Sequence, residues 1–282
     1  MVEKQVIERI QEAIDFIEEH LEDKIYVEDI AKIAFMSLSS FYSIFSLILG
    51  TTVKDYVRKR RLSLAAYFLV YTNLSILNIA VKFGYEGYEP FSRAFKKLFG
   101  VSPKKYREFR KYIDVFPKIQ LKYGNSLGGE NMVDKEMNKE SVLQQIHNTS
   151  NGYILDVDID KFEGINKIYG YDIGDKVLIE VPRRIKEVLE ELNLPSQVIR
   201  ISNDEFVVIV KHQPIEFIEM LSQKILDAMK PKFQFGDISF DVSVSIGITN
   251  FTISSADDEI INKVKDAMLL AKKEGRNRFK VI

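Results

Sequence analysis

The chain has 282 residues, 46% hydrophobic and 29% charged, an ordinary globular composition at a length that suits two domains. It contains no cysteine, which excludes disulfides and thiolate metal sites and is compatible with a cytoplasmic location; His20, His147 and His212 are scattered, which excludes a His-rich metal site. No apolar run approaches the roughly 18–20 residues of a membrane span, and the amino-terminal segment is acidic and amphipathic, unlike a signal peptide.

The net charge of −1 hides an asymmetry. Residues 1–39 carry about −6, residues 40–112 about +10 and residues 132–282 about −5. A basic block between acidic ones points to a local anionic partner, with solvated surface charge as the plain alternative.

In chain order, Val6, Ile10, Ala13, Ile14, Ile17 and Leu21 recur at helical spacing. A second short helix is expected over 27–34, a turn at Phe35-Met36-Ser37, and a third helix over 39–49 ending at Gly50, which together make a helix-turn-helix. A long helix over 53–70 carries Arg58-Lys59-Arg60-Arg61, and the pattern then repeats. Residues 75–84 read as a capped helix and turn, and 90–99 as the helix that follows, with Pro90 suited to a first turn and Gly100 to a C-terminal cap. Phe91, Phe95 and Leu98 should face the core and leave Arg93, Lys96 and Lys97 outside. Two such units on a rigid helix suit successive major grooves of double-stranded DNA.

These residues resemble a known family. Ile79-Ala80, Gly84-Tyr85, Phe91-Ser92-Arg93-Ala94-Phe95-Lys96, Phe99-Gly100-Val101-Ser102-Pro103 and Tyr106-Arg107 are similar to the signature of AraC/XylS DNA-binding domains. The resemblance implies transcription regulation, with DNA contacts expected from Ser39, Ser40, Tyr42, Ser43, Arg60, Arg93, Lys96 and Lys97. The first recognition helix departs from the family in having no cation. Its hydroxyls can still meet bases or phosphates, and packing against protein is the alternative.

A linker is expected over 113–131, where Pro117 and the stretch Gly124-Asn125-Ser126-Leu127-Gly128-Gly129 change the composition. The domain boundaries are thus 1–112 and 132–282. Beyond the linker the reading is a helix from near Lys135 through Ile146, a strand over 153–158, helical material over 163–192, a hairpin over 198–210, a helix over 215–230, a strand over 240–247 and a helix over 258–274. The β-α-β-β-α-β order predicts a ferredoxin-like core, so the fold class is an all-helical double helix-turn-helix domain followed by an α/β domain. Asp158 at a strand end and Asp204 on the hairpin tip supply the oxygen ligands that Mg2+ prefers, with the Ile159 carbonyl as a third and Glu205 beside them. The spacing of Asp156, Asp158 and Asp160 does not continue as a calcium loop, because Lys161 and Lys167 stand where glycine and glutamate are needed.

The order of motifs resembles the GGDEF (diguanylate cyclase) family and its nucleotidyl-cyclase palm. Asp158-Ile159-Asp160-Lys161-Phe162, Ile165-Asn166, Tyr169-Gly170, Gly174-Asp175, Asp204-Glu205-Phe206, Ser245-Ile246-Gly247 and Ala271-Lys272-Lys273-Glu274-Gly275-Arg276-Asn277-Arg278 carry the likeness. It implies that Asn166 and Asp175 read guanine, that Lys272 and Arg276 hold phosphate, and that Asp204 and Glu205 serve catalysis if the domain turns over. Ser202 and Asn203 replace the family's glycine pair at the nucleotide, Glu163 stands for a phosphate-binding lysine and Tyr171 for a histidine. The inhibitory product site is absent from Asn193-Leu194-Pro195-Ser196. The expected protein is a homodimeric regulator, free of the membrane, whose degenerate palm senses a guanine nucleotide or cyclic dinucleotide. An active diguanylate cyclase and a dimerisation scaffold are the alternatives.

Overall fold

The computed structural model describes the backbone of residues 2–110, 112–125, 131–195, 197–252 and 254–282, and their side chains except at 2–3 and 122–136. The chain divides into two compact units, Met1–Met137 and Asn138–Ile282.

The first unit contains α1 (Val2–Glu19), α2 (Val27–Ile33), α3 (Leu38–Leu49), α4 (Val53–Tyr71), α5 (Ile76–Lys82), α6 (Tyr88–Phe99) and α7 (Pro103–Phe109). Ser37, Thr52, Ser75 and Ser102 cap α3, α4, α5 and α7, each hydroxyl accepting the backbone N–H three residues on. Left-handed Gly50 and Gly100 end α3 and α6. α3 turns 81° from α2, which is helix-turn-helix geometry, and α5 and α6 repeat the motif around Gly84. Ile10, Ile14 and Ile17 of α1 are fully buried, as are Phe41, Phe45, Phe91 and Phe95; each such ring stabilises the unit by roughly 1.5–3 kcal/mol. Among the described residues no single helix is long and apolar enough to cross a membrane.

The stretch expected as a linker is structured where it is described. Val115, Phe116, Ile119 and Leu121 are buried, and Ile119 and Leu121 join the core of α1. Gln120–Asn125 forms β1, which pairs antiparallel with β2 (Asn131–Glu136), so the helix expected from Lys135 is preceded by a strand. The Leu121 N–H donates to the Gln11 side chain at 2.7 Å, which ties β1 to α1. Residues 126–130 of the Gly-rich stretch lie outside the described residues.

One expected DNA contact is corrected. Arg60 is 7% exposed and faces inward. Its Nε and Nη2 donate to the two Glu18 carboxylate oxygens at 2.8 Å, and Nη1 donates to the Phe116 carbonyl. The Tyr56 hydroxyl donates to the same carboxylate at 2.8 Å, and Asp114 lies 3.8 Å from the guanidinium. Glu18 is the first of the partners that hold the Arg60 charge against its burial. Removing one member of a buried ion pair strands the other, so Arg60→Ala should cost about 3–5 kcal/mol in urea unfolding. The DNA affinity of the folded variant should be unchanged, measured by titration with duplex DNA.

The second unit opens with α8 (Lys139–His147) and is built on β3 (Asn151–Ile159). β3 pairs antiparallel with β5 (Glu205–Lys211) on one side and β8 (Val244–Thr252) on the other. β4 (Ile199–Arg200) adds to β5, and β9 (Phe279–Val281) runs parallel to β8, giving the order β4-β5-β3-β8-β9. The helices are α9 (Phe162–Tyr169), α10 (Tyr171–Glu191), α11 (Ile215–Met229) and α12 (Asp257–Lys273). Gly170, with φ 84, separates α9 from α10. The strand expected over 240–247 begins later, because 238–240 forms β7, which pairs with β6 (Phe233–Phe235). Val142, Ile146, Ile154, Ile199, Val207, Ile209, Phe251, Ile260 and Val264 form a core under α8 and α12. This is the palm expected from the sequence.

Candidate functional site

In the first unit Ser39, Ser40 and Ser43 of α3 are exposed and Tyr42 is half-buried. The Ser37 hydroxyl lies 2.8 Å from that of Ser40, and exposed Leu47 continues the same face, so this helix offers hydroxyl and methyl groups without charge. On α6, Arg93, Lys96 and Lys97 are exposed while Phe91, Phe95 and Leu98 are buried. Arg93 lies 3.7 Å from Glu89, a solvent-exposed pair of little energetic weight that leaves the guanidinium available.

In the second unit the β3 register places Asp158 opposite Glu205 on β5, and the Ile159 N–H donates to the Asp204 carbonyl at 3.0 Å. The hairpin tip is therefore fastened to the end of β3, and Asp158, Glu205 and Asp204 come together. Arg200 braces the tip, donating from Nε to the Ser202 carbonyl at 3.0 Å and from Nη2 to the Asn203 carbonyl at 2.6 Å. Neither Ser202 nor Asn203 has a positive φ, so this turn does not need the conformation that favours glycine.

Asp158 is 2% exposed. Its Oδ2 meets the Lys272 ammonium at 2.6 Å, while its Oδ1 has no hydrogen-bond partner. Burial first, then the Asp204 carboxylate, pushes the Asp158 carboxyl up to about 7, with Lys272 opposing. Burial also raises Asp204. Two residues back, Asp156 is fully buried, both of its carboxylate oxygens lack partners, and burial with Glu205 and Asp158 beyond it raises its pKa well above the usual carboxylate range.

Asp160 has a different role, which sequence reasoning did not assign. It accepts from the Ser243 hydroxyl at 2.6 Å, the Ser245 hydroxyl at 2.7 Å and the Asn277 N–H at 3.1 Å. It thereby anchors a turn in which Arg276 and Asn277 both have positive φ. The available signal was a third acid at the strand end with serines and an asparagine elsewhere to satisfy it. α12 ends at Lys273, and Arg276 is exposed beyond it.

Asn166 on α9 lies against Gly174 of α10, the residue before Asp175. A Cβ at Gly174 would lie 1.8 Å from Asn166 Oδ1, so the amide occupies the space a side chain would take. Asp175 is buried. Glu163, by contrast, is exposed and paired with Lys167 at 2.7 Å, and Tyr171 is exposed.

Among the described residues no three His, Cys, Asp or Glu side chains form a ready metal cage. Asp158, Asp204 and the Ile159 carbonyl nevertheless fit a Mg2+ that takes one or two carboxylates from protein and completes its shell with phosphate and water. The unpartnered Asp158 Oδ1 and the raised acids are unmet demand for positive charge.

The fold defines a double helix-turn-helix unit joined to a nucleotidyl-cyclase palm. The chain belongs to the GGDEF family: residues 114–278 match the diguanylate cyclase, GGDEF domain, and residues 30–108 match a helix-turn-helix domain, here of the AraC type. The HTH-type transcriptional regulator YbfP of Bacillus subtilis is 40% identical over 102 residues, 36% of this chain and 35% of that protein. The HTH-type transcriptional activator AarP of Providencia stuartii is 33% identical over 35% of this chain and 73% of its own length. Diguanylate cyclase DgcM of Escherichia coli is 31% identical over 44% of this chain and 29% of its own. The first curated relatives are matched over 35% to 48% of their length. Among solved structures, diguanylate cyclase SiaD of Pseudomonas aeruginosa, crystallised with its activator SiaC, aligns with 20% identity and a TM-score of 0.47 over 51% of this chain and 58% of that one.

Two predictions test the buried acids. Asp156→Val should raise stability by roughly 1–3 kcal/mol in urea unfolding, because an unpartnered carboxyl is removed from the core. The folded Asp158 carboxyl binds its proton more tightly than the unfolded one, from 3.8 up to about 7, so its contribution is full below pH 4 and is lost as pH rises towards 7. Asp158→Asn should flatten that decline in a series of melts across pH 4–8.

Proposed function

We propose that the protein is a transcription regulator whose palm binds a guanine nucleotide as a signal and does not turn it over. That the chain joins an AraC-type helix-turn-helix unit to a GGDEF domain is established above; the sensing role is the inference. The observation that carries it is the contrast between the two ends of the pocket. At the base end, Asn166 lies against Gly174 and the next residue, Asp175, is buried, which supports their reading of a base. The phosphate end carries side chains at Ser202 and Asn203 and an exposed Glu163 carboxylate, with an exposed Arg276 beyond the end of α12.

An amide and a carboxylate together accept the N1–H and N2–H2 donors of guanine, which adenine lacks in that arrangement. Asp158, Asp204 and the Ile159 carbonyl would hold Mg2+, which supplies charge neutralisation for bound phosphate. Catalysis needs donors fixed where transition-state charge develops, and the altered phosphate end supports binding more than turnover. Retention of Asp204 and Glu205 favours a second reading, a working diguanylate cyclase joining two GTP molecules. The protein would act in the cytoplasm as a homodimer on paired DNA sites, with palm pairing raising the local concentration of the DNA readers.

Calorimetry of the purified chain against GTP, GDP, cyclic di-GMP and linear pGpG, with and without Mg2+, tests the reading. Binding without product supports the sensor; cyclic di-GMP formation supports the cyclase; silence for all four overturns both. Gly174→Ala should displace the Asn166 amide and weaken guanine-nucleotide binding at least tenfold while leaving the melting temperature unchanged or higher, since alanine favours a helix over glycine. For DNA, Arg93→Ala should weaken specific binding by about 1–3 kcal/mol if the guanidinium reads a base. Equal affinity of Arg93→Ala, Lys96→Ala and the unaltered protein in an operator titration at moderate salt would remove α6 from the interface.

A further inference from the structure

We propose that Lys272 is a tethered counter-ion standing where the divalent cation must bind, so that metal enters the palm only when an anionic phosphate draws the lysine away. The proposal rests on the nucleotide reading of the palm but makes a separate claim about order and coupling.

The geometry begins with α12. Gly247 on β8 lets the α12 backbone approach so closely that a Cβ there would lie 2.3 Å from the Val264 carbonyl and 2.4 Å from the Met268 nitrogen. One turn further, buried Ala271 keeps the helix on the sheet, and the Asn277 N–H bonded to Asp160 at 3.1 Å fixes the chain just beyond it. The end of α12 is thus held from both sides of Lys272, and what can move is the four-carbon side chain. That arm puts its ammonium 2.6 Å from Asp158 Oδ2, while its side chain remains 26% exposed and has a path to solvent.

The ammonium answers a specific electrostatic demand. Asp158 is 2% exposed with its Oδ1 unpartnered, and Asp204 is held beside it by the Ile159 N–H bond to its carbonyl. Arg200, the nearby guanidinium, is turned towards the carbonyls of Ser202 and Asn203. Lys272 is therefore the cation in direct contact with the Asp158 carboxylate. A divalent ion arriving on the same carboxylates meets an ammonium at contact range in a low-dielectric pocket, where repulsion is strong. The lysine must withdraw, and it then needs an anion of its own. A phosphate group beside the metal meets that need. Metal and phosphate therefore favour each other's binding, and by linkage the factor is the same in both directions.

The test is titration of the full chain with Mn2+ as the spectroscopic substitute for Mg2+, following free Mn2+ by its paramagnetic resonance signal. With the metal alone, the unaltered protein should bind Mn2+ weakly. Lys272→Met should bind it at least tenfold more tightly, and adding Asp158→Asn to that variant should abolish the gain. Lys272→Gln, which keeps a polar end, guards against a folding failure of the methionine variant and should show the same gain. Lys272→Arg should stay like the parent. Calorimetry with GTP completes the comparison: the neutral variants should lose nucleotide affinity while gaining metal affinity. Equal Mn2+ affinity for the parent and both neutral variants overturns the counter-ion role, even if GTP binds well. A gain of metal binding in the variants with no nucleotide binding in any protein leaves that role standing and overturns the sensor reading instead.

Discussion

The palm depends on one close approach, the backbone of α12 against β8 at Gly247. No side chain separates helix from strand there, since any Cβ would overlap the Val264 carbonyl and the Met268 nitrogen. The β-ladder sets Asp156 directly across from Gly247 and Asp158 across from Ser245. The helix that presses on Gly247 is thus also the lid over Asp156, and its last turn carries Lys272 to Asp158. Burial of the acids and delivery of their counter-ion have the same cause. A glycine that reads in the sequence as part of a motif has its physical reason in helix-to-strand distance.

The two units treat charge in opposite ways. In the helix-turn-helix unit the buried charge is fully answered: Arg60 has both Glu18 oxygens and a carbonyl, and Glu18 has Tyr56 as well. Such a pair fixes how α1 lies on α4 and leaves no capacity for a ligand. In the palm the buried charge is left short. Asp158 has one oxygen without a partner, and Asp156 has two. Unmet polar demand in a core costs stability, and residues that carry it are candidates for function rather than for packing. By this criterion Asp158 is a candidate for function and Arg60 part of the frame.

Much of this was legible in the sequence, for local reasons. Caps at Ser37, Thr52 and Ser75, glycines after the helices and a helical period of apolar residues define the double helix-turn-helix within a few residues. The acids at the end of an apolar strand mark the palm. Two of the failures involve partners far away in the chain, and a third a local hairpin. Among Arg58, Lys59, Arg60 and Arg61, the inward one is decided by Glu18, 42 positions earlier. The strand at 120–125 lies in a polar, Gly-containing stretch, and its support comes from Gln11 and the α1 core. The late start of β8 follows from a local hairpin, Phe233 paired with Phe240, that withdraws residues from the main sheet.

The turn at Ser202 and Asn203 separates two requirements that glycine would satisfy together. Glycine allows a left-handed backbone and also lets a ligand lie against the main chain. Here the backbone needs no left-handed residue, and Arg200 holds the tip through its carbonyls, so the hairpin survives substitution at no conformational cost. What the side chains change is the space beside the tip. Asp204 keeps its place because its carbonyl is bonded to the end of β3, independently of what precedes it. The hairpin tip therefore carries side chains at Ser202 and Asn203 while Asp204 and Glu205 keep their place beside the end of β3.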